Sequence, residues 1–244
     1  MIPLFLLAAV TPLAKLPGSD SARFAACTQL IKSDPSRAIT EAQEWARTAA
    51  DVPSRQCLGL ALAAAQRFTD ATQAFEQAAG SAEEGNDGRA AQLWGLAGNA
   101  ALAADDANRA HTDLDRALAS NRLTATQKGE TWIDRGRADV ALGDLAQARL
   151  ATDAGLKLVP DDGFAWLLSA TLARRAQDLD RAEKDIGEAM RIAPEDPEVA
   201  LEAGNIAAAR GAIGAARVAW QHAVDVAPQD PAGKAAAQAL AANR

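Results

Sequence analysis

Apolar and small side chains recur along most of this chain at the three-to-four-residue spacing of one helix face, in stretches that stop at regular intervals. Three of the stretches end alike, in Leu156-Lys157-Leu158-Val159-Pro160, Met190-Arg191-Ile192-Ala193-Pro194 and Val224-Asp225-Val226-Ala227-Pro228, with the prolines 34 residues apart. Ala148, Ala182 and Ala216 keep that spacing, as do Gly136, Ala170 and Gly204. Each unit therefore carries two small residues twelve positions apart, an apolar residue between them near Leu145, Leu179 or Ile213, and a closing proline. The same template fits upstream, through Gly59, Phe68, Ala71, Phe75 and Ala78, then through Trp94, Gly98, Ala110, Leu114 and Ala117. Ala26, Ala38, Ala42 and Trp45 fit a degenerate first unit. The extra residues between the upstream units fall in Ser81–Gly88 and around Asn121–Thr126, and both read as surface loops.

A unit of this kind is a helical hairpin. Its small positions let two antiparallel helices approach closely, and Trp or Leu at other positions fills the gap to the next hairpin. Asp34-Pro35, Asp196-Pro197 and Asp230-Pro231 read as helix starts, with Asp as the cap and Pro in the first turn. The final stretch, Ala232 to Asn243, reads as one more helix covering the open end of the stack.

Composition agrees with an all-helical chain. Of 244 residues, 63 are alanine, only ten are aromatic and none is tyrosine, which favours helix over sandwich or barrel. The net charge of −7 argues against nucleic acid as a partner, because a phosphate binder needs a basic stripe. Met1–Val10 is an apolar run far below the roughly 20 residues of a membrane span. No integral membrane span is expected. Followed by Thr11-Pro12-Leu13-Ala14 and a polar stretch, the run resembles a secretory signal peptide, though no Lys or Arg precedes it. A periplasmic or secreted protein is expected, with the cytoplasm as the alternative. Cys27 and Cys57 suit either one disulfide in an oxidising compartment or two buried thiols.

Little in the chain suggests catalysis. His111 and His222 read as solvated positions on separate second helices, Asp105-Asp106 and Asp161-Asp162 as turn residues, and Glu83–Gly88 lacks the ligand order of a calcium loop. No phosphate loop, zinc spacing or nucleophile elbow is present, so neither an enzyme nor a cofactor is expected.

The 34-residue period, Trp at the fourth position (Trp94, Trp132, Trp166), Gly or Ala at the eighth, Ala at the twentieth and Pro at the thirty-second resemble the tetratricopeptide repeat. The units at 52–85 and 91–124 depart from it, with Glu83 and Arg122 where the closing proline belongs. The resemblance implies an all-α, right-handed α-solenoid of stacked hairpins over 19–231, in units of about 19–51, 52–85, 91–124, 129–162, 163–196 and 197–230. A signal or disordered segment, 1–18, precedes it, and a capping helix, 232–244, follows. First helices of adjacent repeats pack together in this family, which implies a bridge between Cys27 and Cys57.

Ligands of such repeats lie along the concave face of the first helices. Transferred position by position, that face supplies Asn99, Arg137, Thr171, Arg174, Arg175 and Asn205, beside Gln92, Leu102, Glu130, Ile133, Val140, Phe164, Leu167, Glu198 and Leu201. Donors set among aliphatic side chains suit an extended protein or peptide segment. Asp134 stands where the family's carboxylate clamp would place a second Asn, which argues against a peptide C-terminus as the ligand. The expectation is a protein-interaction scaffold with Asn99, Arg137 and Arg174 as leading contacts. The competing expectation is an assembly subunit of an envelope or secretion complex, docked through the convex face or the N-terminal hairpins. Trp residues at the fourth position are expected to be core filler, and no oligomeric state follows from the pattern.

Overall fold

The computed structural model describes residues 20–49 and 51–243. The expected signal segment, 1–18, lies outside them. The described residues form thirteen α-helices and no strand. They divide into two compact units, Met1–Ala104 and Asp105–Arg244.

In the first unit, α1 (Asp20–Ser33) and α2 (Pro35–Ala49) pair, α3 (Val52–Ala64) packs on α1, α2 and α4 (Phe68–Glu84), and α5 (Ala90–Ala103) packs on α4. In the second, α6 (Ala107–Ala119) packs on α7 (Ala125–Leu142), which pairs with α8 (Leu145–Leu156). The pairs α9 (Gly163–Arg175) with α10 (Leu179–Ile192) and α11 (Pro197–Ala209) with α12 (Ile213–Val226) follow, and α13 (Pro231–Ala242) packs on α11 and α12.

Capping fixes where the helices begin. Asp51, Asp106, Asp144, Asp162, Asp178, Asp196 and Asp230 each accept a backbone N–H from the first turn of the following helix. Thr124 and Gln127 form a reciprocal capping box at the start of α7. Turn geometry repeats as well: Gln66, Asp105, Gly143, Gln177 and Gly211, each just ahead of a second helix, all have φ between 57° and 82°. Only two of the five are glycine, so three turns hold a left-handed residue at some cost in strain.

The small eighth position does what the pattern predicts. A methyl group on Gly59 would lie 2.6 Å from the Phe75 ring, and one on Gly136 would lie 2.8 Å from Thr152 Oγ1. A methyl on Gly204 would collide with the Trp220 indole. Each partner is sixteen residues later, on the second helix of the same hairpin.

Cys27 on α1 and Cys57 on α3 are joined by a disulfide across a Cα separation of 6.2 Å. The bridge is buried with Ala42 and Trp45, and the Arg23 guanidinium lies 4.7 Å from the Trp45 ring centre. It staples the first two helical hairpins at their first helices.

Two expectations need correction. The loop expected at Ser81–Gly88 begins only at Gly85: α4 continues to Glu84, because Ala78, Ala79 and Ala82 stay buried along one face and extend the helix. Glu83, in place of a closing proline, instead accepts a hydrogen bond from the Trp94 indole at 2.7 Å. The tryptophans at the fourth position also differ among themselves. Trp94 is 4% exposed, whereas Trp132 and Trp166 are only half-buried.

Candidate functional site

The transferred first-helix positions separate into three groups. Asn99 is exposed on α5, in the first unit. The other five are in the second.

Arg137 on α7, Thr171 and Arg175 on α9 converge around Phe164. The Arg137 guanidinium carbon sits 5.5 Å from the Phe164 ring centre and pairs with Asp134 at 2.7 Å. Phe164 is 44% exposed, which is unusual for so large an apolar side chain. It lines a groove of about 190 Å³ with Val140, Leu167, Thr171, Arg175 and Glu198. The groove has an aliphatic and aromatic floor, a hydroxyl, and one charge of each sign. Arg175 is exposed and no carboxylate among the described residues pairs with it.

Arg174 and Asn205 form a different arrangement. Arg174 donates two hydrogen bonds to the buried Glu202 carboxylate, at 2.6 and 3.1 Å. Asn205 donates to the same carboxylate at 3.1 Å and accepts from the Trp220 indole at 3.2 Å. These donors are already engaged, and the chain they form ties α9 to α11 and α12. Arg174, the expected leading contact, and not the adjacent Arg175, is the arginine that meets Glu202, a pairing that no spacing in the sequence specifies.

His111 is also not a freely solvated side chain. It lies against Asp115 at 3.4 Å and Asp139 at 3.8 Å, while Arg135 pairs with Asp115 at 2.7 Å and contacts Asp139. Burial pushes the Asp139 carboxyl above its ordinary range, against the lowering effect of Arg135 and His111. The cluster joins α6 to α7. His222 lies 3.0 Å from the Pro194 carbonyl oxygen. No group of three metal-ligating side chains is present among the described residues, and none of their helices is long and apolar enough to cross a membrane.

No protein-family model matches this sequence, and no curated protein matches it either. Solved structures do. The chain superposes on a structure reported for the functional characterization of Pseudomonas aeruginosa PilF, with a TM-score of 0.74 at 13% identity, over 92% of this chain and 97% of that one. PilW, described as a widely conserved type IV pilus biogenesis factor, matches with a TM-score of 0.74 at 14% identity, over 88% of this chain and 96% of its own. YrrB, described as a tetratricopeptide-repeat protein with an unusual peptide-binding site, matches with a TM-score of 0.59 at 17% identity, over 81% of this chain and 96% of its own. The fold is thus that of the tetratricopeptide-repeat proteins, an all-α solenoid of stacked hairpins, as the repeat pattern implied.

Proposed function

We propose that this chain, on its tetratricopeptide-repeat fold, is a non-enzymatic scaffold that binds an extended segment of a partner protein along the first-helix face. The observation that carries the reading is the groove around Phe164. Its apolar floor suits a side chain of the bound segment, Arg175 offers an unpaired cation to a carboxylate, and Thr171 and Glu198 can meet backbone amides. Arg137 holds the Phe164 ring from the α7 side, and Asn99 is a candidate contact of the first unit taken by itself. Arg174 and Asn205 serve the same face indirectly, by bracing α9 against α11.

Affinity capture from native extract tests this, comparing the wild-type chain with a Phe164→Glu, Arg175→Glu variant. The expected result is one protein retained by the wild type and lost by a variant of unchanged helical content. An identical capture profile would refute the groove assignment.

A second reading, an assembly subunit of a cell-envelope or secretion complex, is favoured by the likeness to the pilus biogenesis factor PilW over most of both chains. The same likeness, the Cys27–Cys57 disulfide and the apolar N-terminal run support a periplasmic or secreted location. Fractionation of cells expressing the tagged full chain distinguishes this from a cytoplasmic location.

A further inference from the structure

On the second-helix side of the hairpins, α8 and α10 bound a groove of about 730 Å³. Its apolar surface comes from Leu156 and the half-buried Trp166, whose indole N–H donates to the Pro160 carbonyl at 2.8 Å. The ring's one polar atom is therefore engaged, and what it offers the groove is hydrocarbon.

The charges around this floor are unevenly satisfied. Asp153 is held by Arg149 at 3.3 Å and by Arg181, and Asp185 by Arg181 at 3.2 Å and the Ser169 hydroxyl at 2.5 Å. Asp180 pairs with Arg210 at 2.8 Å. All three carboxylates lining the groove are thus matched within the fold. Lys157 and Lys184, which line it from α8's end and from α10, are exposed and pair with no carboxylate among the described residues. The uncompensated charge is positive, and it stands beside a tryptophan face.

We propose that this second-helix groove is a docking site, separate from the first-helix groove, for a protein segment that presents a large apolar side chain flanked by carboxylates. The apolar side chain seats on Trp166 and Leu156, and the flanking carboxylates meet Lys157 and Lys184. The apolar surface continues across α8, where Leu150 is 63% exposed and lines a second groove, of about 260 Å³, with the half-buried Trp132. Trp132 and Trp166 stand one 34-residue repeat apart on either side of α8, so a segment crossing that helix meets apolar surface again beyond the first groove.

The test is selection of a random peptide library displayed on phage against the immobilised full chain, run in parallel on Lys157→Glu/Lys184→Glu, on Trp166→Ala and on Arg175→Glu. The wild type is expected to enrich peptides pairing Leu, Phe, Met or Trp with Asp or Glu. The double charge reversal should lose that family by at least about tenfold in affinity and accept lysine-flanked counterparts instead, while Arg175→Glu retains it. Trp166→Ala should lose the acidic-apolar family as well, and its survival there would also refute the site. If no acidic-apolar family is enriched, if it survives the double reversal, or if it is lost with Arg175→Glu alone, the second-helix site is refuted. Loss with Arg175→Glu alone would assign the peptides to the first-helix groove, so the two sites fail separately.

Discussion

Arg174 on α9 grips the buried carboxylate of Glu202 on α11 through two hydrogen bonds, 2.6 and 3.1 Å long, across 28 residues of sequence. The Glu202 side chain is 8% exposed and that of Arg174 28%, so the pair is shielded from water on one side only. Replacing Arg174 by Ala leaves a buried carboxylate with Asn205 as its remaining donor. The expected loss is about 2 kcal/mol, below the range for fully buried pairs because Arg174 is partly solvated. Urea denaturation of Arg174→Ala and Arg175→Ala checks it, the second variant being expected within about 0.5 kcal/mol of wild type.

The disulfide gives a second prediction. Closing a 30-residue separation stabilises a chain by about 3–4 kcal/mol in the chain-entropy account. Cys27→Ala/Cys57→Ala should lose that amount, with the loss confined to the first unit's transition if the two units unfold separately. Thiol titration of the unreduced, denatured protein should find no free thiol.

The left-handed turns allow a gain. At Gln177, φ is 60°, and Gly at the same turn position in the neighbouring hairpins has no Cβ to strain. Gln177→Gly should stabilise by about 0.5–1 kcal/mol, and Gly143→Ala should destabilise by about 1 kcal/mol. Paired thermal melts read both.

Close approach within a hairpin should be equally visible. A methyl on Gly204 meets the Trp220 indole, whose N–H is committed to Asn205, so the ring has little room to withdraw. Gly204→Ala should cost roughly 1–3 kcal/mol despite its better helix propensity, and Gly187→Ala, where a methyl meets open space, should cost nothing. A gain at both positions would contradict the packing.

Asp139 predicts a pH dependence. Its folded pKa is raised by burial, so between the ordinary aspartate value and the folded value the native chain binds more protons than the unfolded one. Its contribution is fully present below the ordinary value and is lost as pH rises through the folded value. His111, Arg135 and Asp144 act on the same group, and Asp115, which pairs with His111 and Arg135, sets the rest of the profile through them. The stability of Asp139→Asn relative to wild type should therefore rise with pH through that window, measured by denaturation at a series of acidic pH values.

Much of the fold was legible because it is written in short-range terms. A cap needs one Asp two or three residues ahead of an amide, and a close helix pair needs a small residue facing a large one sixteen positions on. Neither requires knowing anything distant, so Asp196, Gly136 and Gly204 could be assigned from spacing. The loop expected at Ser81–Gly88 begins four residues later than its bounds, because burial of Ala78, Ala79 and Ala82 against neighbouring helices keeps α4 helical to Glu84.

The sequence by itself determined the repeat and its hairpins, since the 34-residue spacing of small and apolar residues is written in each segment, and the resemblance to the tetratricopeptide repeat implied which residues share the first-helix face. Which of those side chains remain available was decided only by tertiary structure. Arg174 and Asn205 are bound to Glu202 while the adjacent Arg175 is left beside Phe164, and Trp166 keeps one face in a groove while Trp94 loses both. Such outcomes depend on what one helix meets across from it on another, and burial and pairing are properties of that encounter rather than of either segment.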